Sequence, residues 1–294
     1  MLAVGLTALP EAEWQDRERQ HQERVSRFSG PYLDRRSRGA GHPVEDFLFT
    51  YYTHKPGQLL RWHPGAGVVL LGPAARDRVS WKYYLTEGDG VRVDAGRFAE
   101  ERRDAVDFAR LILGRTAARP AQFGCFGLHE WAMAYRSALN GVRHEYLQLR
   151  LGATGTDDVV ESARIRCTHF DAFRFYTPEA VPLNEHAPTR ETQRDLEQPG
   201  CLHANMDLYK WAYKLTPLLP SEIVLDCFEL SWRIRMMDMR ASPYDLSAWG
   251  YSPITIETAA GKAEYVRLQR GFADESQALR VRLLGHLDRA FAAV

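Results

Sequence analysis

The chain has 294 residues, 45% hydrophobic and 26% charged, with Lys+Arg and Asp+Glu both at 38. This is the composition of an ordinary globular chain. Zero formal charge argues against a protein that lives by gripping phosphate backbones, which usually carries a basic excess. Nucleic acid is therefore the less favoured partner and a small-molecule substrate the favoured one. No apolar run approaches the length needed to span a membrane, so none is expected to be crossed. The opening MLAVGLTALPEAEW has no basic leader region, and Pro10 and Glu11 cut its apolar stretch short. A cytoplasmic setting with reduced thiols is the expectation, and the oligomeric state stays open.

In chain order, residues 11–28 are strongly polar and suit an exposed helix. Arg35, Arg36 and Arg38 follow in a loop punctuated by Gly39 and Gly41. HPVEDFLFTYYTH starts a helix, with Pro43 tolerated in the first turn. GAGVVLLGP (65–73) reads as a short strand. Residues 94–117 read as one long helix capped by Asp94. Residues 125–137 look helical. Between 143 and 176, HEYLQLRL and SARIRCTHFDAFRFY alternate like two strands, with a turn of helix from about Thr168 as the alternative. Pro178, Pro182 and Pro188 make 177–199 a connection. Helices follow at 201–216 and 221–240, and a last helix or broken pair runs from about 258. The fold class expected is mainly α, a compact helical domain with a small β element. The division expected is a polar helix and Arg-rich loop over 1–40, then a single mostly helical catalytic domain over 41–294.

Three of the four cysteines each precede a histidine by two or four residues: Cys125 and His129, Cys167 and His169, Cys201 and His203. Carboxylates flank them, and soft or borderline ligands beside carboxylates make metal or proton-transfer sites. No CxxC pair exists, so a structural zinc ribbon is not expected, and the thiols are expected to be reduced and outside the ligand set. On a strand His169 and Asp171 would project together. On a helix His203, Asp207, Lys210 and Lys214 share a face. Glu130 beside His129, and Asp226 in the apolar helix 221–240, are further acid candidates, with Arg233 the cation expected to pair inside that helix. His42 and Asp46 repeat the four-residue spacing, with His42 also suited to capping a helix. Tyr51, Tyr52, Trp131, Lys210 and Arg240 are the candidates for substrate contact. No GxGxxG after a strand, GxxxxGK[ST] or GxSxG is present.

HPVEDFLFTYY, RWHPGAGVVL, GCFGLHEWAMAYR, CTHFDAFRFYTPEAVPLN, QPGCLHANMDLYKWAYKL and DMRASPYDL resemble a group of actinobacterial proteins commonly labelled 3-methyladenine DNA glycosylase. The resemblance runs from about His42 to Arg270. It implies a base-flipping enzyme, with a carboxylate to stabilise an oxocarbenium-like sugar and aromatic walls for a cationic purine. The helix–hairpin–helix pattern of the large glycosylase superfamily is absent, so no catalytic residue is carried over from it.

The residues themselves point to an enzyme with a non-haem iron or zinc centre. Its metal ligands are expected to be His129, His169, Asp171 and His203, with Asp207, Glu130 and Asp226 as catalytic carboxylates. A metal-independent N-glycosylase removing alkylated purines is the alternative.

Overall fold

A computed structural model describes residues 6–292 of the chain. The architecture is mainly α with one small sheet, the class that the helical periodicities require. The chain divides into two compact units. The first comprises the stretch through Gly114, Leu208–Glu229 and the stretch from Ala278; the second comprises Arg115–Asp207 and Leu230–Gln277. Of the segment expected as a separate N-terminal part, residues 6–40 lie within the first unit.

In the first unit, the helix Glu11–Ser37 is longer than the polar pattern suggests and carries Pro31 in its interior. Arg35 and Arg36 belong to its last turn rather than to a loop. Cations there suit the helix dipole. Arg35 also bonds Glu45 at 2.9 Å and Asp46 at 2.6 Å. The strands are β1 (Thr7–Leu9), β2 (Val68–Leu70), β3 (Tyr84–Glu87) and β4 (Gly90–Val93), in the sheet order β1-β2-β4-β3. β1 pairs parallel with β2; the other two pairings are antiparallel. Sequence reading finds only the β2 segment, because three- and four-residue strands give too few alternations to detect. Leu9, Trp14, Trp62, Leu70, Ala75, Tyr84, Val91 and Val93 form the core against this sheet. A Cβ on Gly90 would stand 2.5 Å from Val69 Cγ1, so only glycine fits where β4 meets β2.

The 94–117 segment is two helices, Ala95–Glu101 and Arg103–Ala117. Asp94 caps the first, accepting from Arg97 N at 2.9 Å. After the Arg-rich helix, His42 Nδ1 accepts from Val44 N and Glu45 N at 3.2 and 3.0 Å. That fixes His42 as a turn-forming residue. The helix beyond it is short, Phe47–Tyr51.

In the second unit, the two strands expected between 143 and 176 do not form. The segment between them, Gly152–Ser162, is a helix burying Thr156 and Val160 one turn apart, and Phe170–Phe173 is a helical turn, as the alternative from about Thr168 has it. β structure here is limited to the isolated bridges Leu149–Tyr244 and Ile165–Asn184. The helix at 125–137 shrinks to Leu128–Ala132. The later helices match expectation more closely: Leu202–Lys214, Ser221–Arg240 and an unbroken Ala259–Ala292. No helix among the described residues is long and apolar enough to cross a membrane.

Candidate metal centre

The segments bearing the Cys–His pairs all fall in the second unit. Phe126 and Gly127 both adopt the left-handed backbone (φ 49° and 73°), which Phe enters only at a steric cost. They turn the chain into the five-residue helix that carries His129 and Glu130. Gly200 is packed so closely on Gln122 that a Cβ would lie 2.3 Å from the Gln122 carbonyl oxygen. This approach draws the segment leading to Cys125 against the one leading to His203. Gln198 Oε1 ties the same segments, accepting from Gln122 N at 2.8 Å and Gly200 N at 2.7 Å. Gln269 Nε2 donates to Gly200 O at 2.7 Å. Ser231 Oγ donates to Met206 O at 2.8 Å, joining the helix of His203 to the helix of Asp238.

These constraints bring the three histidines together. The His203 ring centre is 4.5 Å from that of His129, edge to face, and 5.4 Å from that of His169. Their ligand atoms nonetheless separate into two groups, each with all members within 4.8 Å: His129, His203 and Asp238, and His169, Glu197 and Asp207. The single three-histidine site expected from sequence is replaced by two triads adjoining at His203.

In the first triad, His129 Nε2 is 3.0 Å from Asp238 Oδ1. Neither atom has a hydrogen bond among the described residues, and Asp238 Oδ2 has none either. The pair thus meets at hydrogen-bond distance without hydrogen-bond alignment. Ligands bonded to one cation at 2.0–2.2 Å stand roughly 3–3.6 Å apart and point at the ion rather than at each other. Asp238 is fully buried and His129 is 2% exposed. Burial disfavours a proton on His129, but Asp238 outweighs it and holds the imidazole well above its ordinary range. His203 goes the other way: burial, then His129, push it well below, leaving a neutral imidazole. Cys125 Sγ is 3.6 Å from His129 Nδ1, a contact that orients the ring from behind.

In the second triad, His169 Nε2 is 3.3 Å from both Asp207 Oδ2 and Glu197 Oε1, all three side chains being buried. Gln193 Nε2 donates to the same Glu197 oxygen. Burial opposes charge on His169, but the two carboxylates outweigh it and lift it to about 9. A charged imidazole shared by two acids is the outcome.

Next to the first triad, Glu130 bonds Arg235 at 2.9 Å, and the same guanidinium lies 3.5 Å from Asp238. The neighbourhood therefore holds four buried carboxylates, Glu130, Glu197, Asp207 and Asp238, and one buried arginine. Buried carboxylates need cations. Arg235 and the His169 imidazolium cancel two of these four charges, and one divalent ion, replacing the proton on His129, would cancel the other two.

The other residues proposed from sequence lie elsewhere. Asp171 sits in the Phe170–Phe173 turn and pairs with Arg174 at 3.1 Å; without a strand, it does not project beside His169. Glu130 is an ion-pair partner of Arg235, not a member of either triad. Asp226 belongs to the first unit, where Arg24 and Arg282 hold it at 3.2 and 2.9 Å. Arg233 pairs with Glu275 at 2.9 Å. Trp131 is fully buried, with Nε1 donating to Ala241 O at 2.8 Å. Arg240 donates to Ser252 O at 2.8 Å. Tyr51, Tyr52 and Lys210 lie in the first unit: Tyr51 stacks on Phe47, Tyr52 edges onto Tyr209, and Lys210 lies over Trp211. Asp207 is in the site, but against His169. Sequence reading passes over Asp238 and Glu197 as ligands. The available signal for Asp238 is an acid standing between Met237 and Met239 in a helix apolar on every side; Glu197 gives none.

All four cysteines are free, and none belongs to either triad. Burial pushes the Cys167 thiol up to about 11 and Cys201 well above its usual value, so both are neutral thiols rather than thiolate ligands. With Cys125, they line a narrow cavity of about 10 Å³, which His129, Thr168, Gln198 and His203 also face. A space of that size holds about one water-sized species.

No protein-family model matches the chain, and neither a curated protein nor a solved structure is similar to it.

Proposed function

We propose that His129, His203 and Asp238 hold a divalent iron or zinc ion, and that this centre makes the protein an enzyme acting on a small polar substrate. The observation carrying this reading is the Asp238 carboxylate, fully buried, with no hydrogen bond to either oxygen and a histidine nitrogen at 3.0 Å out of hydrogen-bond alignment. Arg235, 3.5 Å from Oδ2 and also bonded to Glu130, is shared between two buried carboxylates, and a buried carboxylate so incompletely compensated is costly. Two imidazoles and a carboxylate are a donor set that suits iron or zinc and leaves coordination positions open. When bound, the ion would act as a Lewis acid toward the substrate.

The protein's own residues supply the rest. Cys125 orients the His129 ring. His169 holds a proton at Nε2 between Glu197 and Asp207, next to His203, where a buried acid is in reach of the centre. Thr168 and Gln198 line the cavity and offer neutral polar groups for orienting a ligand. The cavity volume has room for a water-sized ligand and none for a nucleobase.

Elemental analysis of protein purified without a His-tag or chelator should find about one iron or zinc per chain. Asp238→Asn, close to isosteric, should lower metal affinity by at least about 100-fold while keeping the fold, since losing even an outer carboxylate costs about 10–100-fold. Metal-free wild-type protein with full activity would sink the reading. If that same metal-free protein released 3-methyladenine from alkylated DNA, the N-glycosylase alternative implied by the resemblance would take its place.

A further inference from the structure

The first unit contains a larger cavity, of about 390 Å³, within the size range of small-molecule sites. Its lining includes four cations, Arg61, Lys82, Arg102 and Lys214, and no carboxylate. In a chain of zero net charge, this is a local concentration of positive charge. Lys82 is paired, with Glu101 at 2.9 Å behind it. Arg61 has the Trp81 ring at 4.8 Å as its contact. Neither Arg61 nor Arg102 has a carboxylate partner among the described residues.

Neutral donors complete the wall. His63 is 6% exposed, and its backbone is clamped to Ser221: its N–H donates to Ser221 Oγ at 2.8 Å and its carbonyl accepts from Ser221 N at 3.0 Å. Its Nδ1 lies 2.8 Å from the Tyr84 hydroxyl. His63 lines the cavity, and burial, then the charges of Arg78 and Arg61, keep its imidazole neutral by lowering it to about 3. His54 is held in the same manner, with Nδ1 2.9 Å from the Tyr209 hydroxyl and its ring stacked on Tyr213 at 4.9 Å. The wall also contains a strained residue: Tyr83 has φ 66°, a conformation that bulky side chains adopt only at a cost and that clusters at ligand sites.

We propose that this cavity binds a small phosphorylated molecule, its phosphate held by Arg61 and Arg102 beside His63. Guanidinium groups match phosphate oxygens in bidentate geometry. The flanking Lys82 and Lys214 add point charges, and the neutral His63 imidazole adds none. The proposal concerns the first unit and stands independently of the metal centre.

Titration calorimetry on the whole protein, with pyrophosphate and with phenyl phosphate at about 0.1 M salt where distant surface charges are screened, tests it. Both probes should bind. Arg61→Ala and Arg102→Ala should each weaken them by about 10- to 100-fold, the usual cost of a charge-assisted hydrogen bond, with thermal unfolding close to wild type. Arg19→Ala, at an exposed pair with Asp16, should bind as the wild type does. Absence of binding by both probes would overturn the proposal, as would binding that the two cavity variants leave unchanged. A short DNA duplex that binds more tightly than phenyl phosphate, and is weakened by the same variants, would replace the small molecule with nucleic acid.

Discussion

Replacing Arg235 by methionine should destabilise the protein by about 3–5 kcal/mol, the cost of removing one partner from a buried ion pair. Arg235 is 3% exposed and faces Glu130 at 2.9 Å and Asp238 at 3.5 Å. Without it, both carboxylates lose their nearest permanent cation in a region already crowded with negative charge. The hydrophobic volume of methionine is no compensation, because the penalty lies in the desolvated anions. Glu130→Gln in the same background should recover part of the loss, with a coupling of about 0.5–3 kcal/mol, as for residues in direct contact. Urea unfolding of the two single variants and the double variant measures this. An Arg235→Met protein within about 1 kcal/mol of wild type would mean that the buried charges are compensated elsewhere.

The second large effect is a loss of stability in acid traced to His63. Burial, reinforced by Arg78 and Arg61, lowers this imidazole from 6.5 to about 3. The sign follows from the depressed value. Between pH 6.5 and 3 the unfolded chain takes up a proton that the folded protein refuses, so stability is full above 6.5 and falls as pH drops toward 3. One pKa unit corresponds to about 1.4 kcal/mol, so going from pH 6.5 to about 4 should cost about 3 kcal/mol from this residue. His54, lowered to about 4 by burial, works in the same direction. A glutamine at position 63 cannot titrate. Urea unfolding at pH 7 and pH 4 should therefore show the wild type losing about 3 kcal/mol more than His63→Gln. Equal losses in the two proteins would refute the assignment. Because His63 also lines the cationic cavity, the same protonation would add a positive charge to the proposed phosphate site only at a pH that weakens the fold.

The long helices and the Cys–His pattern repeated in three segments were legible in the sequence because both are written in local spacing. Ser221–Arg240 carries apolar residues through every turn, and His203 and Asp207 stand one turn apart on Leu202–Lys214. Helical periodicity needs no partner to be detected. Short elements are different. β1, β3 and β4 have three or four residues each and exist because neighbouring strands supply their hydrogen bonds. The alternation at 163–176 imitates a strand, but no strand beside it supplies a ladder there, and the chain turns into the helical turn Phe170–Phe173.

By itself the sequence determined the mainly α class and the three Cys–His segments that furnish the candidate site. The tertiary structure alone decided which carboxylate each histidine meets. Asp207, one turn from His203, is bound by His169 instead, and Asp238 lies 109 positions from His129 yet at 3.0 Å from it. Asp171, the carboxylate nearest in sequence to His169, turns to Arg174. Spacing along a helix restricts which residues share a face, but charge compensation in a buried site is settled by whatever the packed segments bring within a few ångströms, and that distance is not encoded in any local pattern.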